Sequence, residues 1–187
     1  FGSSHLRKLR TLVCAAKHCC GTMIPVLMAL GGAYLPEGCW QTLMGPVPFR
    51  VSPYMALFLS VPLVYLSFGL SLLLKIKFTK GKIDNVNPQQ QAEKLEKSEP
   101  MFARLRASEK NTQEAFLIFA PAVLVAVQAG VPKETISLLS TTWLLFRFMY
   151  IFIYAAQWNE AIAGLRSLSF GVGLMTTSKL FFLAASR

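Results

Sequence analysis

The stretch RLRASEKNTQEAF, residues 104–116, is a charged lead-in that continues without a break into the apolar run of residues 116–129. The combination recurs downstream, where Arg147, Tyr150 and Tyr154 lie inside another apolar run. An ionisable residue in a membrane-spanning helix costs about 2.5–3.5 kcal/mol on the insertion scale, so it usually has a partner or a function. These stretches therefore predict a helical membrane domain with a polar site.

The composition supports an integral membrane protein and argues against a soluble domain. Of the 187 residues, 53% are hydrophobic and only 15% are charged, and the mean hydropathy is +0.46. The net charge of +10 would also suit a nucleic-acid-binding protein. The basic residues, however, flank the apolar runs, which is typical of side chains that set topology and contact anionic headgroups. The lipid bilayer is therefore the predicted partner, and nucleic acid is not.

Four apolar segments predict an all-α, four-helix membrane bundle over residues 53–187. A span needs about 20 residues, and short connections make successive helices antiparallel neighbours. The predicted spans are 53–74, a helix from about 98–100 through 116–129, then 136–156 and 165–185. Pro62 is expected to kink the first span. The polar segment that begins at residue 81 is expected to be a loop with a short helix over 92–97, before the next helix restarts near 98–100.

Residues 1–52 are predicted to form a separate, irregular N-terminal extension. Residues 1–17 are basic and contain no acid, like a signal or transit segment, and would otherwise form an interfacial anchor or a short extra span. A transit-like start suits an organellar membrane, such as that of a mitochondrion, plastid or endoplasmic reticulum. Glycines and prolines at 31–32, 36–38 and 45–48 are expected to interrupt helices.

The remaining charges and thiols bear on topology and metal binding. Nine Lys and Arg residues follow the first span and only Lys133 follows the second, so the first loop should face the positive-inside compartment. Lys179 is expected to extend towards the headgroups. Cys14, His18, Cys19 and Cys20 cluster without a second ligand pair, so no metal site is predicted.

Helical spacing places the polar residues on facing surfaces. One face of the second helix has a polar set, and one face of the third helix has another: Arg104, Ala107, Asn111 and Glu114, then Arg147, Tyr150 and Tyr154. Arg166 and Ser167 are expected at the start of the fourth helix, where free backbone N–H groups favour an anion. Together these residues predict a cationic pocket with one carboxylate, suited to a small anionic ligand.

These motifs, in this order, resemble the MAPEG family, the membrane-associated proteins in eicosanoid and glutathione metabolism. The motifs are DNVNP at 84–88, Arg106-Ala107, NTQEAF at 111–116, Arg147 with Tyr150 and Tyr154, and LRS at 165–167. The pattern Asn-x-x-Glu-Ala-Phe is most similar to bacterial-type members, rather than to the leukotriene or prostaglandin synthases. Three more residues separate Tyr154 from Arg166 than in the prostaglandin-synthase type.

The resemblance implies a homotrimer of four-helix subunits with glutathione, as cosubstrate, between neighbouring subunits. The residues that the resemblance assigns to glutathione are Lys75, Lys110, Asn111, Glu114, Arg147, Tyr150 and Tyr154. Arg166 and Ser167 match the pair near the thiol and are the implied catalytic residues. Cations and hydroxyl donors near a thiol lower its pKa and favour the reactive thiolate.

Two functions from different classes follow. The first is a membrane glutathione-dependent transferase or peroxidase for lipophilic electrophiles or hydroperoxides. The second is a non-catalytic accessory subunit of a larger respiratory or photosynthetic membrane complex, since fold alone does not imply activity. Structural explanations also stay open for single residues: Arg147 as an internally paired cation, Asn111 and Glu114 as interhelical contacts, and the tyrosines as interface aromatics.

Overall fold

A computed structural model describes residues 28–29, 31–44, 49–157 and 159–187, and this part of the chain is helical without strands. Six helices are defined within it: α1 (Glu37–Met44), α2 (Pro53–Phe78), α3 (Pro88–Ser98), α4 (Pro100–Gln128), α5 (Lys133–Ala155) and α6 (Glu160–Ala185). The four long helices α2, α4, α5 and α6 pack into one bundle. The predicted all-α fold is thereby confirmed.

Local signals begin and end the long helices. Ser52 precedes α2, and its hydroxyl accepts a hydrogen bond from the Met55 N–H at 3.3 Å. After the C-terminal end of α4, Gly130 has a φ of +73°, which L side chains rarely adopt. The Val131 N–H then bonds the Ala126 carbonyl at 3.1 Å, as in a glycine-terminated helix. The predicted helix end at Gly130 is therefore confirmed.

The core of the bundle lies between α4 and the two helices that follow it. Phe119 of α4 stacks on Trp143 of α5 with ring centroids 3.9 Å apart and planes 6° apart. Ala122 and Ala126 continue the buried stripe of α4, and Leu180 meets it from α6. Small residues on α4 let its neighbours approach closely, which is how membrane helices pack when lipid offers no hydrophobic contrast.

Three of the long helices have the length and apolarity of membrane spans: Pro53–Phe78, Lys133–Ala155 and Glu160–Ala185. The helix α4 differs because its first half carries the charged stretch 104–116. The predicted span over 116–129 is its apolar second half, and that fourth crossing stays a prediction. Bulky side chains on α2, including Tyr54, Phe58 and Tyr65, are exposed, as expected of a surface that faces lipid.

The segment between α2 and α4 is more ordered than the predicted loop. Residues 88–98 form α3, which packs against α4, and α4 begins at Pro100 after a single intervening residue. Both helices have proline at an N-terminal position, where its fixed φ favours a helix and its missing N–H costs nothing. Residues 81–87 are a loop as predicted, the short helix expected over 92–97 is the longer α3, and the restart expected near 98–100 is confirmed.

The described part of the N-terminal segment also departs from the irregular connection that was predicted. Residues 31–34 are helical, and the helix is interrupted at residues 35–36, where a break was predicted, before α1 starts at Glu37. The predicted break at 45–48 lies outside the described residues. Gly32 lies where an added Cβ would collide with Met175 of α6. Glycine here permits close packing, and it does not interrupt the helix.

Two side-chain contacts attach this segment to the bundle. Trp40 of α1 is only 3% exposed and belongs to the hydrophobic core. Lys179 of α6 is buried, and its Nζ donates to the Ala33 carbonyl at 3.1 Å. The prediction that Lys179 extends to the headgroups was therefore wrong, since the segment before α1 supplies a carbonyl within the protein.

Candidate functional site

Arg147 is the most deeply buried cation in the described residues. The side chain is 2% exposed, and the guanidinium carbon lies 5.6 Å from the Trp143 ring, 4.9 Å from the Tyr150 ring and 5.6 Å from the Phe170 ring. Its Nε and Nη1 have no hydrogen-bond partner there, and no described carboxylate pairs with it. An unpaired buried charge costs several kcal/mol. The internally paired explanation for Arg147 therefore lacks its partner within the described chain.

A cavity of about 170 Å³ lies beside Arg147 and is lined by residues of α4, α5 and α6. Its lining residues are Asn111, Glu114, Ala115, Ile118, Trp143, Arg147, Phe170, Gly173, Leu174 and Thr177. Gly173 keeps the guanidinium end unobstructed, because an added Cβ would lie 3.3 Å from the Arg147 Nη2. The cavity is thus an apolar space with one cation and a few polar groups.

The α4 wall of the cavity contributes an amide and a carboxylate. Asn111 is anchored by its own helix, since its Nδ2 donates to the Ala107 carbonyl at 2.9 Å. Its amide oxygen accepts no hydrogen bond from the described residues and can accept from a ligand. Glu114 follows one turn later and is exposed, so it can receive an ammonium or amide donor from outside the helix bundle. The structure thus brings Asn111 and Glu114 to Arg147, as the spacing predicted.

A row of rings and cations leads from the cavity to the α5–α6 turn. The Tyr150 and Tyr154 ring centroids are 5.4 Å apart in an edge-on arrangement. The guanidinium of Arg166 lies 4.8 Å from the Tyr154 ring, and its Nη1 donates to the Gln157 Oε1 at 2.7 Å. Arg147, Tyr150, Tyr154 and Arg166 therefore form one continuous row on adjacent helices.

Arg166 and Ser167 do not open the fourth helix. The helix α6 begins at Glu160, and Asn159 caps it by accepting from the Ile162 N–H at 2.9 Å. Arg166 lies in the second turn, so free N–H groups at a helix start cannot contribute at this position. The prediction missed the extra turn because Asn159 was placed in the connection. The side chain of Arg166, and not the helix end, is what can act on an anion.

Three other predicted residues lie apart from this cavity within one chain. Ser167 is exposed and its hydroxyl donates to the Ala163 carbonyl at 3.2 Å. Lys110 lines a separate cavity of about 330 Å³ on another face of α4. Lys75 is buried near α3, where its Nζ lies 3.4 Å from the Pro88 carbonyl. Their roles towards glutathione stay predictions that require a neighbouring subunit.

Glu109 is a buried carboxylate that the sequence interpretation did not single out. It is 6% exposed and accepts from the Arg106 Nη1 at 2.9 Å and from the Ser71 hydroxyl at 3.4 Å. Arg106 also approaches Glu96 of α3 at 3.4 Å. The i, i+3 spacing of Arg106 and Glu109 was the available signal. These contacts hold α2, α3 and α4 together at one end of the bundle.

The described residues contain no group of three or more His, Cys, Asp or Glu side chains that could hold a metal ion. Cys14, His18, Cys19 and Cys20 lie outside the described residues, and Cys39 is exposed with a free thiol. The site therefore rests on arginine, tyrosine, amide and carboxylate groups.

Comparison with known proteins agrees with the motifs. No curated protein and no solved structure shows significant similarity to the chain. The family model for the MAPEG family, whose members are generally associated with glutathione or eicosanoid metabolism in membranes, matches residues 53–186. The match begins at the first residue of α2 and includes all four long helices. The chain therefore belongs to the MAPEG family.

Proposed function

We propose that this protein is a membrane glutathione-dependent transferase or peroxidase that acts on lipophilic electrophiles or hydroperoxides. The observation that supports it best is the buried guanidinium of Arg147, which has two unpaired nitrogens beside a cavity that Asn111 and Glu114 also line. Arginine matches a carboxylate in a planar, bidentate geometry. Glutathione has two carboxylates and one ammonium. In this site, a carboxylate would pair with Arg147 and the ammonium with Glu114.

The chemistry needs a thiolate near neutral pH. A thiol with a pKa of about 8.5 is mostly protonated there, and a nearby cation lowers that pKa. Arg166 is the cation that the row of rings holds nearest to the α5–α6 turn, and it has no carboxylate partner among the described ion pairs. The thiolate sulfur would then form a bond to an electrophilic carbon while the leaving group departs with its electron pair.

A second copy of the chain is part of the proposal. The cavity of about 170 Å³ is smaller than typical ligand pockets, which are about 300–1,000 Å³. It can therefore receive one end of a tripeptide but not the whole molecule. Lys110 and Ser167 point outward from the single chain, where a neighbour in a homotrimer would bring them to the remainder of the ligand.

The test uses full-length protein purified in detergent. The wild type should show the ultraviolet absorbance of glutathione thiolate and should conjugate glutathione to a chlorinated nitrobenzene with release of chloride. Arg147→Met should raise the glutathione Kd at least tenfold, because it removes a charged hydrogen-bond donor. Arg166→Ala should abolish the thiolate absorbance at neutral pH.

Lys133→Ala is the matched control, since it removes a cation from α5 about 21 Å from Arg147 along the helix. It should bind and react like the wild type. A wild-type protein without thiolate absorbance and without conjugation would contradict the enzyme proposal.

The accessory-subunit hypothesis is the second candidate, and the N-terminal segment is what favours it. Residues 31–34 and α1 add surface to the bundle on the α5 and α6 side, outside the 53–186 match. Such an added element offers a contact surface for unrelated subunits. Gentle extraction would then recover the protein in a stoichiometric complex with other chains, whereas recovery as a homotrimer alone argues against it.

A further inference from the structure

The turn between α5 and α6 is fixed at both of its ends. Ala156 ends α5 with its N–H bonded to the Phe152 carbonyl at 2.9 Å. Asn159 begins α6 with a side-chain cap on the Ile162 N–H at 2.9 Å. Gln157 lies between these two ends and is half-buried. Its side chain therefore starts from a backbone position that directly follows the end of α5.

Helix geometry directs Arg166 towards this turn. Side chains on an α-helix lean towards its N-terminus, so a residue in the second turn of α6 reaches back over the first. The Arg166 Nη1 accordingly meets the Gln157 Oε1 at 2.7 Å, across nine residues of sequence, while the Tyr154 ring lies 4.8 Å from the guanidinium carbon. The guanidinium is held between an amide oxygen and an aromatic face.

Both of these partners are electrically neutral, and this distinguishes Arg166 from Arg106. Arg106 pairs with two carboxylates, Glu96 and Glu109, which neutralise its charge within the protein. An amide oxygen fixes the direction of a guanidinium by one hydrogen bond without neutralising it. The charge of Arg166 consequently remains available to an anion beside Tyr154.

We infer that Gln157 is a positioning residue that holds Arg166 in place and, through it, sets the pKa of the glutathione thiol. The inference rests on the proposed function. Gln157 does not touch the reacting sulfur, and its effect is carried by the orientation and undiminished charge of Arg166. Glutamine suits this position because a carboxylate would bind Arg166 equally well but cancel its charge.

The experiment compares Gln157→Glu and Gln157→Ala with the wild type, by following thiolate absorbance and conjugation rate against pH. Gln157→Glu should keep Arg166 in place and shift the thiol pKa upward by about one pH unit, because a neutralised cation no longer favours the thiolate. The rate near neutral pH should fall roughly tenfold and recover at alkaline pH. Gln157→Ala should shift the profile in the same direction by a smaller amount.

Gln128→Glu is the control, because it places the same charge change on α4 about 21 Å along the helix from Glu114. Its pH profile should match that of the wild type. Should Gln157→Ala fail to fold, Gln157→Asn retains an amide one methylene shorter and tests the same hydrogen bond. A purely structural role for Gln157 would lower the melting temperature of the variants without moving the pH profile.

Failure of the role of Gln157 and failure of the proposed function give different results. A wild type that forms thiolate, together with a Gln157→Glu variant of unchanged pH profile, would overturn the role of Gln157 alone. A wild type that forms no thiolate would overturn the proposed function and this inference with it.

Discussion

The buried guanidinium of Arg147 contacts aromatic rings and no described carboxylate. Three aromatic rings surround it, and each favourable cation–π contact contributes about 0.5–2 kcal/mol. Removal of a charge from water costs several kcal/mol even after the protein relaxes. The rings therefore offset this cost only in part. In the proposed function, an anionic ligand that binds Nε and Nη1 would supply the rest.

Gly173 is expected to affect glutathione binding more than stability. In Gly173→Ala the new Cβ would lie 3.3 Å from the Arg147 Nη2 and 3.8 Å from the Trp143 Cδ1, so the guanidinium must move by a few tenths of an ångström. Overpacking costs about 1 kcal/mol, and the helix gains a similar amount from alanine. The melting temperature should therefore change little, while calorimetry should show a glutathione Kd roughly three- to tenfold higher.

Gly69→Ala is the comparison for that variant. No heavy atom lies within 4 Å of a Cβ at Gly69, so this change in α2 should leave glutathione binding intact and add up to about 1 kcal/mol of stability. If Gly173→Ala bound glutathione like Gly69→Ala, the space beside Arg147 would have no role in binding.

At the level of elements, the turn before α3 depends on one exposed carboxylate. The Asp84 Oδ1 accepts from the Asn87 N–H and the Val86 N–H, each at 2.9 Å. These two backbone hydrogen bonds favour the ionised form and hold the pKa of Asp84 below its usual range. The DNVNP motif therefore has a structural function in one chain, since it positions Pro88 at the start of α3.

The order of this turn should depend on acid pH. A carboxylate whose pKa is lower in the folded state contributes stability that is present above its unfolded pKa of about 3.9 and is lost as the pH falls through the folded value. Hydrogen exchange at Val86 and Asn87, corrected for intrinsic rates, should therefore accelerate below about pH 4. Asp84→Asn should abolish this pH dependence and keep the turn, because the amide oxygen still accepts.

Asp84→Ala should show fast exchange at every pH, because it removes the acceptor. Equal exchange in Asp84→Asn and Asp84→Ala would mean that the side-chain hydrogen bonds do not order the turn.

At the level of the whole molecule, the described residues 31–44 of the N-terminal segment pack against the folded bundle. Trp40 fills part of the core and Lys179 binds the Ala33 carbonyl, although both contacts involve sequence before residue 53. The predicted division at 52/53 follows the composition and the family match. The packing crosses it, because the apolar and carbonyl groups of the segment find their partners on α5 and α6.

Trp40→Ala should destabilise the whole bundle. Removal of a fully buried tryptophan side chain costs about 3–5 kcal/mol, which includes the cavity left behind. The melting temperature in detergent should fall clearly, and the transition should remain single if α1 and the bundle unfold together. Tyr34→Ala, from an exposed side chain of the same segment, should have a much smaller effect. Equal melting temperatures for Trp40→Ala and the wild type would show that the segment folds apart from the bundle.

The candidate site was predictable to the extent that it depends on helical spacing. The i, i+3 and i+7 positions put Asn111 with Glu114 on one face, and Arg147 with Tyr150 and Tyr154 on the next, and these faces do meet. Gln157 and Gly173 were not found, because a glutamine in a turn and a helical glycine have no distinctive pattern, whereas Glu109 was missed although its i, i+3 spacing from Arg106 was a signal. Each is defined by an arginine beside it, which is Arg166 for Gln157, Arg106 for Glu109 and Arg147 for Gly173.

The sequence by itself determined the all-α membrane class, the apolar segments and several helix ends, because hydropathy, proline positions and a glycine at a helix end are local properties. Only the tertiary structure decided that Arg147 has no carboxylate partner among the described residues, that Lys75 and Lys110 lie outside its cavity, and that Arg166 is held by neutral groups. The reason is physical: a side chain's charge is known from its chemistry, but its partners depend on distances between helices that packing alone sets.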